Sequence, residues 1–193
     1  MRRIIAAIAI VFALSLSNQS ALAHIGEAVE IDPSHCIVEP RSVDSLLPLL
    51  PEGTPPPREP QEEFVAPEGE PVDAETTEAV ASFVYETSAC LLTGNLLASF
   101  ALQTDAYISA TFGRIGATEE TLEGMAASTG SATNASSIVT INDIVILEDE
   151  RIGVAVTEVL DMGGLVETFV MYYYLVEHEE SYLMDDYVLV AVT

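Results

Sequence analysis

Ile152-Gly153-Val154-Ala155-Val156-Thr157 alternates along the chain with the period of a strand that packs one face on a core. The pattern extends to both sides. Residues 137–148, 151–161, 164–178 and 181–192 are four runs rich in apolar, β-branched and aromatic side chains. Asp149-Glu150, Met162-Gly163-Gly164 and Glu179-Glu180 separate them. Strand-length runs joined by short polar turns predict an antiparallel meander. Residues 168–176, Thr168-Phe169-Val170-Met171-Tyr172-Tyr173-Tyr174-Leu175-Val176, are apolar on both faces. That marks a central strand, covered by helices on one side and by a partner or a loop on the other.

Upstream the period lengthens. Val80, Phe83, Val84, Thr87 and Leu91 recur at helical spacing, Asp73 suits the N-cap, and Gly94 suits the C-terminal end. Leu96, Leu97, Phe100 and Ala101 continue as a second helical piece. Residues 104–113 fit a helix better than a strand, with the strand left open. Residues 118–128 read as a third short helix, although Thr118 followed by Thr121 is an incomplete capping box. Helices followed by a run of strands predict an α+β fold, with helices on one face of a curved antiparallel sheet.

The first 23 residues read as a signal peptide. Arg2-Arg3 precede an apolar run from Ile4 to Leu16, and Ala21-Leu22-Ala23 is a small-x-small cleavage site. Thirteen helical residues span about 20 Å, short of a ~30 Å hydrocarbon core. Cleavage after Ala23 implies a secreted or otherwise extracytoplasmic chain with no transmembrane helix. Residues 24–47 form an N-terminal arm with too few apolar residues for a core of its own. Residues 48–72 form a Pro/Glu-rich linker, with eight of the ten prolines in 48–71, expected to be open and semi-rigid. The folded domain is placed at 73–193.

The charge balance excludes some partners. Thirty-one acidic residues face six arginines and no lysine, for a net charge of −25. Loss of Arg2 and Arg3 takes it to about −27. Nucleic acid and anionic lipid both need a cationic footprint, so neither is expected as a partner. The acidity suits a strongly solvated surface, a cationic partner or high salt.

Cys36 and Cys90 are the two cysteines. In an oxidising compartment an even pair invites one disulfide, which would tether the arm to the domain; a free Cys90 buried on its helix is the alternative. Two Cys and three scattered His make no recognised zinc spacing, and neither metal nor cofactor is assigned. Histidine at the mature N-terminus, His24, together with His35 or His178, leaves copper as a remote option. Asn134-Ala135-Ser136 fits a glycosylation sequon.

Three segments carry a family resemblance. Cys90-Leu91-Leu92-Thr93-Gly94-Asn95-Leu96 with Leu102-Gln103-Thr104-Asp105 is similar to a helix, a Gly-containing break and a second helix ending in carboxylate. Leu147-Glu148-Asp149-Glu150-Arg151-Ile152-Gly153 is similar to a hairpin turn. Ser181-Tyr182-Leu183-Met184-Asp185-Asp186 is similar to a closing strand that usually carries Trp-x-Ile-Asp, here with Tyr182 and Met184. Residues 73–192 thus resemble the SnoaL-like branch of the nuclear transport factor 2-like superfamily, which includes ketosteroid isomerase. The resemblance implies a cone: a bent sheet wrapped around about three helices, with a pocket at the open end. That scaffold hosts isomerases, cyclases, dehydratases and non-catalytic binders, so it does not fix a function.

Isomerase chemistry needs a helix tyrosine for the oxyanion and a carboxylate base. An ungapped match from Gly94 to Asp105 puts the tyrosine position on Thr87 and the base position on Thr111. A threonine hydroxyl is far too weak a base. A shifted register would bring Tyr85 or Tyr107 to the pocket. Asp105 is either a pocket acid or a helix-terminal residue. Glu158 and Glu167 lie within apolar strands, and an inward carboxylate would have a raised pKa. Tyr172, Tyr173 and Tyr174 put hydroxyls on at least one sheet face. The candidate pocket residues are therefore Tyr85, Thr87, Asp105, Tyr107, Thr111, Glu158 and Tyr173, and no catalytic residue is assigned. The expectation is a non-catalytic domain binding a small apolar ligand or a partner, including a second copy through the outer sheet face. An isomerase, cyclase or hydratase using pocket carboxylates and a structural surface module are the alternatives.

Overall fold

The computed structural model describes residues 25–53, 63–128, 135–179 and 181–193. Residues 1–23, read above as a signal peptide, and His24, Asn134 and Glu180 lie outside the described residues. The fold is α+β. Its sheet has six antiparallel strands: β1 (Ala28–Glu30), β2 (Glu70–Pro71), β3 (Ser136–Ile146), β4 (Ile152–Asp161), β5 (Val166–His178) and β6 (Ser181–Val192). The last four are the four runs read from the sequence, and β1 and β2 both pair with the free side of β3. The order is β1–β3–β4–β5–β6, so β4 holds the centre and β5 lies between β4 and β6. The apolar character of β5 comes from cover on both faces, not from a central place.

The turns follow local chemistry. Glu150 takes a left-handed φ of 67° between β3 and β4. Gly163 and Gly164, at φ 76° and 110°, turn β4 into β5, and Asp161 Oδ1 accepts from Gly164 N at 2.7 Å. The β3–β4 register shifts between Ile141 and Asp143, a bulge of the kind that bends a sheet.

α2 (Ala74–Leu92) is the main helix. Asp73 caps it, its side chain accepting from Thr76 N at 2.8 Å. Val80, Phe83, Val84 and Thr87 are buried against the sheet. α3 (Leu96–Ala101), α4 (Asp105–Ile115) and α5 (Glu119–Ala127) follow, so residues 104–113 are helical. Thr118 and Thr121 correct the sequence reading at α5. Thr118 Oγ1 accepts from Thr121 N, and Thr121 Oγ1 accepts from Thr118 N, at 3.3 and 3.1 Å. The capping box is complete because a threonine hydroxyl accepts the proton as a glutamate would.

Two cores result. Val80, Val84, Val139, Ile141, Val154, Val156 and Leu175 lie at the centre of the first, between α2 and the sheet. Leu97, Phe100, Ile108, Phe112 and Leu122 build the second among α3, α4 and α5, with the Phe100 and Phe112 rings edge-on at 5.3 Å.

The arm takes part in both. Ile31 is buried in the first core and Leu46, from the four-residue helix α1 (Val43–Leu46), in the second. Cys36 and Cys90 form a disulfide with Cα atoms 4.7 Å apart. Glu86 accepts from Ile37 N and Val38 N, and Arg41 pairs with Asp105 at 2.6 Å. The stretch read as an open linker docks from Phe64 onward. The Phe64 ring lies 5.3 Å from the outward ring of Tyr172, and Glu70–Pro71 pairs with Ile146 and Val145. A large aromatic beside an exposed sheet face gains more by covering it than by staying in water. Gly153 makes room for Tyr172, whose hydroxyl end fills the space a Cβ would take.

Candidate functional site

Register decides which side chains meet. On β4, Ile152, Val154, Val156, Glu158 and Leu160 share the inward face; on β5 their partners are Leu175, Tyr173, Met171, Phe169 and Glu167. Toward the β4–β5 turn this face outruns the helices that cover its other end. A cavity of about 520 Å³ lies there. Leu91 and Leu92, the last turn of α2, form one wall. Glu158, Leu160, Phe169 and Met171 form the sheet side, and Ala135 and Met162 complete the rim. The volume falls in the range of small-molecule sites.

Glu158 is the polar residue in this lining. It is 7% exposed, and Ser137 Oγ donates to its Oε1 at 2.5 Å. Burial pushes the carboxyl above its ordinary range, and the Ser137 bond opposes this in part. Ser88 Oγ, also buried, lies close enough to favour the carboxylate but completes no hydrogen bond of good geometry. Among the described residues, each arginine is engaged elsewhere. Arg41 pairs with Asp105, Arg114 with Thr111, and Arg151 with Asp149 and Asp185 while its guanidinium covers the Tyr174 ring.

The other sequence candidates scatter. Tyr173 is buried behind the cavity wall, and its hydroxyl donates to Met171 Sδ at 3.6 Å. Burial first, then the nearby Glu158, raises its phenol far above the usual range, so it stays protonated. Thr87 Oγ1 donates to Phe83 O within α2. Thr111 accepts from Arg114 on α4. Tyr107 packs edge-on to Tyr187 and carries Arg114 over its ring. Asp105 is exposed at the start of α4, and Tyr85 is half-buried against the first core. Glu167 is half-buried on β5 beside Leu160. His35 and His178 are exposed at the ends of separate elements. The structure therefore brings Glu158 to the cavity, with Tyr173 close behind, and leaves the rest on α2, α4 and the arm contact.

Sequence reasoning missed Leu92, Phe169 and Met171. The signal for the last two was present, since Phe169, Met171 and Tyr173 share one strand face. Only the β4–β5 register, which no sequence pattern set, joins that face to Glu158.

Chemically the site is an apolar cup with one carboxyl in its wall. It can bury a hydrophobic body and offer one hydrogen-bonding or charged contact. A second carboxylate for an acid–base pair is not among the described lining residues. Compared with known proteins, the chain matches no family model, no curated protein and no solved structure.

Proposed function

We propose that this is an exported, non-catalytic binding domain of the SnoaL-like kind, in which a cone-shaped sheet presents a pocket for a small apolar ligand. The observation that carries the proposal is the cavity itself, walled by leucine, methionine and phenylalanine around a single carboxyl. Export is supported by the Arg2-Arg3 start, the apolar run and the Ala21-Leu22-Ala23 site, and by the Cys36–Cys90 bond, which suits an oxidising compartment. Among the described residues no helix is long and apolar enough to cross a membrane. A non-catalytic role is supported by Thr87 and Thr111, whose hydroxyls bond Phe83 O and Arg114.

The test is binding of a neutral apolar fluorophore, Nile red, to the mature chain. One saturable site is expected, and Met171→Trp, which fills the cavity, should abolish it. Undiminished binding to that variant would place the ligand site elsewhere.

A second reading has one observation in its favour: Glu158 is a buried carboxyl with a raised pKa near the protonated Tyr173, a pairing usable for proton transfer. Enolisation of a steroid-like ketone, abolished in Glu158→Gln, would establish the enzyme.

A further inference from the structure

Among the described residues, no cationic side chain pairs with Glu158. A carboxylate offers about four lone-pair sites, and one good donor, Ser137, reaches it. The three described arginines are held by other groups. Among the described residues, the groups that face it are the Ser137 hydroxyl from β3, the Ser88 hydroxyl from α2 and the Tyr173 phenol from β5, all neutral. Burying a lone carboxyl beside leucines and methionines is unfavourable for its ionised form unless a cation arrives with the occupant.

The occupant's charge is constrained independently. A chain of net charge −25 repels anionic amphiphiles, such as carboxylates with alkyl tails, and concentrates cations around itself. A neutral occupant would be tolerated, but it would leave the carboxyl unpaired. We infer that the cavity selects lipophilic ammonium ions, small molecules with an apolar body for the Leu92, Phe169 and Met171 walls and one protonated amine that pairs with Glu158. The inference rests on the cavity being a ligand site. It adds the head-group chemistry to that reading.

The test uses three probes of equal chain length, n-octylamine, 1-octanol and octanoate, each titrated against the Nile red-loaded mature chain. Octylamine should displace the dye at roughly tenfold lower concentration than octanol, with octanoate weakest. Glu158→Gln should bring octylamine to the level of octanol. That substitution alters the net charge by one, so general attraction of cations to the acidic surface survives it. A second measurement does not depend on the variant. Calorimetry in two buffers at pH of about 5 should show proton release when octylamine binds, as the carboxyl gives up its proton to pair, and none with octanol. Equal displacement by amine and alcohol, or an amine preference that persists in Glu158→Gln, would overturn the ammonium inference and leave the apolar pocket standing. If neither Nile red nor any octyl probe binds, the pocket reading itself fails, and the inference with it.

Discussion

Ser137 and Glu158 are diagonal neighbours on adjacent strands, not register partners, and the serine hydroxyl reaches across to donate to the carboxyl at 2.5 Å. Ser137 pairs with Leu160, and Glu158 with Val139, all on the face turned toward α2. The bond holds an ionisable group in position inside an otherwise apolar wall.

That placement gives a pH signature. The folded chain raises the Glu158 pKa above its ordinary value of 4.5, so the native state holds the proton more tightly than the unfolded one. The resulting contribution to stability is fully present below that ordinary value and is lost as pH rises through the raised folded value. Glu158→Gln cannot titrate. Its stability relative to the native sequence should therefore climb with pH across this window, read as the difference in Tm between the two chains. A difference that stays flat would show that the carboxyl is not perturbed by burial.

The Cys36–Cys90 bond closes a 54-residue separation. Loop-closure entropy alone puts its contribution at about 4 kcal/mol. Replacing both cysteines by serine should lower the urea midpoint accordingly, and non-reducing peptide mapping should recover the crosslinked pair. An unchanged midpoint would contradict a loop-closure contribution of that size.

Gly153 lies under the Tyr172 ring. Valine favours strands in general, yet Gly153→Val should destabilise by about 1–3 kcal/mol through the clash. Combining it with Tyr172→Ala should cost less than the two changes separately, because the clash disappears with the ring. A stabilised single variant would contradict the packing described.

The acid excess should make the fold sensitive to salt. Self-repulsion at net charge −25 is screened as ionic strength rises. Tm should increase from low salt to about 1 M sodium chloride, with most of the gain in the early part of the range, where the Debye length shortens fastest. A flat or falling profile would reduce the acidity to a solubility device.

Much of this fold is legible in local pattern. The four long strands show because Ile152 to Thr157 and their counterparts alternate, and because Asp149-Glu150 and Gly163-Gly164 mark the turns. α2 shows because Asp73 caps a run with helical spacing. What stayed hidden is non-local. Leu46 lies in a leucine-rich run, Leu46-Leu47-Pro48-Leu49-Leu50, at the end of the arm, but that run is too short to show that it packs on a core built by Phe100, Ile108 and Phe112. Phe64 reads as an isolated aromatic in a proline-rich stretch until the outward Tyr172 ring is seen beside it. The candidate site was legible in one residue, Glu158, because a carboxylate inside an apolar strand is conspicuous. Its neighbours Phe169 and Met171 depend on pairing between strands, and an ungapped match that pointed to Thr87 and Thr111 led to α2 and α4 instead.

The bond between Cys36 and Cys90 also makes a closed covalent ring of the backbone between them, a ring that includes the proline-rich stretch. One peptide bond cut anywhere from residue 37 to residue 89 opens the ring without releasing a fragment. A single nick would leave both pieces joined. They would part only when the nick is followed by reduction.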